Sequence, residues 1–118
     1  MDTIQHLTDD TFGDAITEAG IVVIDFWASW CWPCRAMAPQ FERAAQLRPQ
    51  YRFAKVDVDA EPQLAGRYAI RSIPTLMVLR DGEPIAAQAG LIPADALVEA
   101  LDRLAAAGVE TAGAREAA

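Results

Sequence analysis

Cys31 and Cys34 are the only cysteines in the chain, and they enclose the dipeptide Trp32-Pro33. At the start of a helix this spacing places both sulfurs on one turn, with Cα atoms about 5 to 6 Å apart, within the range that a disulfide spans. Cys31, at or near the N-cap, faces unpaired backbone N–H groups and the positive end of the helix dipole, and both favour thiolate over thiol. Thiolate is the nucleophile, so Cys31 is the attacking residue. Cys34, further inside the turn and expected to be less exposed, can resolve a mixed disulfide formed at Cys31. A structural zinc site would need four ligands, and beyond these sulfurs the chain offers one histidine, His6, far off in sequence. His6 reads as an ordinary edge-strand residue and the cysteines as a redox pair.

Two charged residues could serve this pair. Asp25 interrupts the apolar run Ile21-Val-Val-Ile-Asp-Phe-Trp27. A carboxylate in such surroundings is desolvated, titrates upward toward neutral pH and becomes a usable proton acceptor. Lys55 is the only lysine, all other basic residues being arginine. Lysine can sit beside a buried carboxylate as a compact charge, although strand alternation leaves open which face it occupies.

The elements that must position these groups follow from local pattern. Thr3 to Leu7 fits a short edge strand, and Thr8 an N-cap for a helix over about Asp9 to Glu18. The β-branched run from Ile21 to Trp27 predicts a strand buried on both faces, with parallel neighbours, ending at the cysteines. Met37, Phe41, Ala44, Ala45 and Leu47 recur at helical spacing from Trp32 to about Arg48, and Pro39 within them predicts a kink. Tyr51 to Val58 alternates as a second strand, and Pro62 to Tyr68 suggests a short helix. Thr75 to Arg80 and Pro84 to Ala89 flank Asp81-Gly82, which predicts an antiparallel hairpin. A last helix opens near Pro93 and ends at Gly108. The order β-α-β-α-β-α-β-β-α predicts an α/β sandwich, a mixed sheet covered by helices on both faces. One domain is expected over 1–107, with 108–118 a flexible C-terminal tail.

Composition limits the partners. Seventeen acidic against ten basic residues give a net charge of -7, which opposes binding to nucleic acid or anionic lipid. The amino terminus carries no basic segment followed by an apolar stretch, so neither secretion nor a membrane span is expected. Cysteines three positions apart cannot staple distant parts of a secreted fold, so a cytoplasmic location is expected.

Taken together, Trp27-Ala-Ser-Trp-Cys-Trp-Pro-Cys-Arg35, the preceding Asp25, Pro39 in the helix, Ile73-Pro74-Thr75 before the hairpin and Gly90 after it resemble the thioredoxin family over about Thr3 to Ala106. The resemblance implies the thioredoxin fold, a three-layer α/β/α sandwich with a central mixed five-stranded sheet and four helices. It implies reduction of protein disulfides by reversible dithiol–disulfide exchange in a monomer, and the high Ala content with Arg over Lys suggests a bacterial source. No bound cofactor is implied; electrons come from NADPH through a flavoprotein thioredoxin reductase. Asp25 would assist deprotonation of Cys34 through water, with Lys55 beside it, and the Ile73-Pro74 bond would be cis and face the disulfide. Trp30, Val58, Ile73 and Ala89-Gly90-Leu91 would form a docking rim around Cys31, joined by Trp32, Pro33 and Pro74, whereas Trp27 would pack in the core.

Two departures from the family pattern stand out. Trp32 occupies the place of the usual glycine between the cysteines, and a residue before proline is pushed away from helical angles, so a displaced first turn and an altered potential or substrate range are expected. The last helix has Ile92 in place of a capping hydroxyl, with Asp95 in its first turn as partial compensation. The alternatives to a reductase are an oxidase or isomerase of the same fold and a non-catalytic binding subunit. Ile73 before Pro74 looks reductant-like, and the retained cysteines, Asp25 and Lys55 oppose the binding reading.

Overall fold

The computed structural model describes residues 4–18 and 20–117, with side chains described to Ala107. Its elements are β1 (Gln5–His6), α1 (Asp9–Ile16), β2 (Ile21–Trp27), α2 (Trp32–Leu47), β3 (Arg52–Asp57), α3 (Pro62–Arg67), β4 (Thr75–Arg80), β5 (Glu83–Ala89) and α4 (Ala94–Ala117). They form the expected order around a five-stranded sheet, β1-β3-β2-β4-β5. β1 and β2 both run parallel to β3, while β4 is antiparallel to β2 and to β5. The expectation of parallel neighbours for β2 therefore holds on one side only. The apolar run records burial on both faces, and either strand direction satisfies it.

Alternation along β2 divides the core. Val22, Ile24 and Phe26 pack with Phe12, Ile16 and Leu64 under α1 and α3. Ile21 and Val23 pack with Met37, Phe41, Leu97 and Leu101 under α2 and α4. With a side-chain period of two, Asp25 falls on the α2–α4 face. Phe41 and Phe53 meet edge-to-face at 5.3 Å within that layer, a favoured aromatic geometry.

The hairpin turns through Asp81 and Gly82, both at positive φ (51° and 87°), as a two-residue loop matched to strand twist requires. A register shift between Val78 and Leu79 skips Ile85, so β5 accommodates Pro84 opposite Leu79 without breaking the pair. β1 is only two residues long; Thr3, assigned to it from sequence, lies outside the described residues. The strand expected over Tyr51 to Val58 loses one residue at each end.

One expectation about the helices needs correction. α4 continues through Gly108 to Ala117, where a tail was expected. One glycine costs a helix only about 1 kcal/mol, and the surrounding alanines are strong helix formers. Pro39 lies inside α2 without ending it. The missing hydroxyl before α4 is replaced from another element: Gln40 of α2 accepts the Ala94 N–H at 2.8 Å through Oε1. This interhelical cap fixes α4 against α2. Gln40→Ala is expected to cost about 1 kcal/mol, the usual size of a lost cap, read as a lower urea midpoint at unchanged m-value. At the far end of α2, Arg48 and Tyr51 both donate to Asp102 of α4, at 2.9 and 2.7 Å.

Candidate functional site

β2 delivers the chain to Ala28-Ser29-Trp30, and Cys31 caps α2. Its φ and ψ, -84° and 110°, are those of an N-cap, and its Sγ accepts the Cys34 N–H at 3.2 Å. Cys31 and Cys34 are joined as a disulfide with Cα atoms 5.2 Å apart, as the spacing requires. The helix begins at Trp32 with Pro33 in its first turn. The expected displacement of that turn by Trp32 is not seen. Proline is favoured early in a helix because the N–H it lacks has no partner there.

The two cysteines differ little in exposure. Cys31 is 4% and Cys34 3% accessible, so the lesser exposure expected of Cys34 is marginal in the bridged form. In the bridged form both pack with Ala28 under Trp27, Val58 and Ile73. What separates them is position: the Cys31 sulfur receives the orphan N–H of the helix terminus.

Asp25 is 1% exposed, and neither carboxylate oxygen has a hydrogen-bond partner. Burial pushes its pKa from 3.8 up to about 6, against the opposing pull of Lys55. Lys55 is the register partner of Asp25 across β2 and β3, which settles the face that alternation left open. Its ammonium also lies 5.7 Å from the Trp27 ring centre, and a partly exposed cation over an indole is a favourable arrangement.

The Ile73–Pro74 bond is cis. The Ile73 carbonyl oxygen lies 3.7 Å from Cys31 Sγ, and the Pro74 carbonyl accepts the Gly90 N–H at 2.8 Å. Gly90 has φ 93°, a conformation that glycine adopts at no steric cost. Pro74 is buried, Val58, Ile73 and Gly90 are half-buried, and Trp30, Trp32, Pro33, Ala89 and Leu91 are exposed. Of the residues assigned to the rim from sequence, Val58 and Ile73 pack with Cys31. Trp27 departs from its expected core position: it is half-buried, edge-on to His6 at 6.5 Å, and its buried Nε1 lacks a partner. Sequence reasoning missed Asp59, whose carboxylate accepts Trp30 Nε1 at 2.7 Å. It also missed Arg35, which donates twice to the Ser29 carbonyl, at 3.0 and 3.2 Å. The indole N–H of Trp30, a donor beside an acidic loop, was the available signal for the first.

A cysteine pair bridged on the first turn of a helix, packed against the Ile73 of a cis-proline loop, defines a thiol–disulfide oxidoreductase of thioredoxin fold. The thioredoxin family model matches residues 3–103. "Thioredoxin 1" of Synechococcus elongatus is 41% identical over 105 residues, 87% of this chain and 98% of that protein. "Thioredoxin" of Bacillus subtilis is 42% identical over 101 residues, covering 85% and 96%. Among solved structures, a mutant thioredoxin from Halobacterium salinarum superposes with a TM-score of 0.81 at 31% identity, covering 88% and 92%. The chain belongs to the thioredoxin family. Among the described residues no group of acidic, histidine or cysteine side chains could hold a metal ion, and no helix is long and apolar enough to cross a membrane.

Proposed function

We propose that the protein is a protein-disulfide reductase. The observation that carries this reading is the seat of Cys31 Sγ, which accepts the Cys34 N–H at the helix terminus. In the reduced protein the Cys31 thiolate attacks one sulfur of a substrate disulfide, forming a mixed disulfide and releasing the other substrate sulfur as thiolate. Asp25, ionised, accepts the proton of Cys34. The Cys34 thiolate then attacks Cys31 Sγ, releasing the second substrate thiolate and leaving the Cys31–Cys34 disulfide. Two electrons pass to the substrate.

Lys55 steadies the ionised form of Asp25. Trp30, Trp32, Pro33, Val58, Ile73, Pro74, Ala89, Gly90 and Leu91 hold the substrate segment, and the backbone before Pro74 pairs with it as an added strand. Electrons return from NADPH through a flavoprotein thioredoxin reductase. Resemblance to bacterial thioredoxins supports a bacterial cytoplasmic setting, and the acidic charge supports protein rather than nucleic-acid partners. We assign the working domain to 1–107, acting as a monomer.

An oxidase of the same fold would use the same residues at a higher potential, and Trp32 in the dipeptide is the observation that favours it. Insulin reduction driven by dithiothreitol, paired with titration in glutathione buffers, separates the two. A reductase accelerates insulin precipitation and stays oxidised in a reduced glutathione buffer. No acceleration, or full reduction by glutathione, would sink the proposal.

A further inference from the structure

Trp32 is 74% exposed and Trp30 66%, more than any other large apolar side chain among the described residues. The Cys31 they flank is 4% exposed. A substrate sulfur that reaches Cys31 therefore brings its neighbouring side chains against these indoles. The Trp32 side chain makes no hydrogen bond, ring contact or ion pair among the described residues. Its indole face is open to a partner.

The charge around the pair selects what arrives. The Trp30 indole donates to the Asp59 carboxylate at 2.7 Å, and this polarises the ring toward a more negative face. Asp57 stands at the base of the same loop, its carboxylate accepting the N–H groups of Asp59 and Ala60. Arg35, one turn along α2 from Trp32, directs its guanidinium to the Ser29 carbonyl, bracing the loop instead of covering the indole. The chain as a whole carries -7. Indole is the best aromatic partner for a cation, and the planar guanidinium of arginine stacks on it.

We infer that Trp32 is a specificity-determining residue, favouring protein disulfides flanked by a basic side chain, arginine above all, over those flanked by apolar or acidic ones. The inference rests on the reductase reading of the site. Trp32 touches the residue beside the substrate cysteine and takes no part in the exchange.

The test uses three peptide disulfides, identical except for Arg, Leu or Glu next to the cysteine, reduced by the full chain with dithiothreitol as electron source. Wild type is expected to show kcat/KM about tenfold higher for the Arg than for the Glu peptide, with Leu between, and the difference mainly in KM. Trp32→Ala should shrink the Arg-to-Glu ratio to about twofold, and Trp32→Phe should keep an intermediate ratio. A flat wild-type profile, a Leu preference, or a Trp32→Ala loss equal for all three peptides would overturn the inference. In the last case a shifted redox potential would show that the indole acts on the Cys31 turn. Failure of the reductase reading looks different: no peptide is then reduced faster by wild type than by Cys31→Ser.

Discussion

Cys31→Ser is expected to lose insulin reduction entirely above the dithiothreitol background, whereas Cys34→Ser should lose turnover yet accumulate a covalent adduct with substrate. The asymmetry follows from the helix terminus. Cys31 Sγ accepts the N–H of Cys34, a bond that remains available to a thiolate and strengthens on ionisation. Serine in its place offers a hydroxyl whose proton is held far too tightly to act as a leaving or attacking group here. With Cys34 removed, the first attack proceeds and the second cannot, since no other thiol lies in the chain. Mass spectrometry of each variant with insulin under limiting reductant reads the outcome directly. Adducts on Cys31→Ser, or none on Cys34→Ser, would reverse the assigned order of attack. Equal turnover by wild type and Cys31→Ser would remove the dithiol mechanism altogether.

Much of this site was legible because its chemistry depends on local spacing. Two cysteines three apart after a buried strand fix their own geometry, and the observed 5.2 Å between Cα atoms follows from helical rise and little else. Asp25 was legible because a lone carboxylate in a β-branched run must be buried if the strand is. Its partner Lys55, thirty positions away, was reached only through its singularity and the family resemblance, because local alternation leaves its face open and strand register is what places it opposite Asp25. Gln40 capping α4 was invisible, since it joins elements whose mutual approach no local pattern encodes, and Asp59 holding Trp30 left only an indole donor beside an acidic loop as its signal. The expected difference in exposure between the two cysteines is nearly erased for another reason. Position within a helical turn sets which orphan N–H a sulfur meets, but accessibility depends on the loops above it, here those carrying Val58 and Ile73.

Asp25→Asn is expected to make the oxidised protein more stable and the reduced protein slower, both in a pH-dependent way. In the folded chain the carboxyl titrates at about 6 against an ordinary 3.8, so between these values the folded state binds a proton that the unfolded state has released. Stability then falls as pH rises through this window and is flat above it. At about 1.36 kcal/mol per pH unit the ionised carboxylate costs roughly 3 kcal/mol at pH 8. Asparagine carries no such cost, and the variant should gain up to about that amount at pH 8 and almost nothing at pH 3.5. The kinetic consequence has the opposite sign. Wild-type resolution of the mixed disulfide should accelerate as pH rises through about 6, when Asp25 becomes able to accept the Cys34 proton. In Asp25→Asn that limb disappears, and resolution should wait for unassisted ionisation of a thiol, near pH 8.5 for a free cysteine. A general base contributes roughly 100-fold or more, so resolution at pH 7 should slow by at least about tenfold. Urea denaturation across pH and stopped-flow decay of the mixed disulfide measure the two halves separately. A stability gain that is the same at pH 3.5 and pH 8 would show that Asp25 ionises no differently in the folded chain. An unchanged rate profile would show that another group takes the proton.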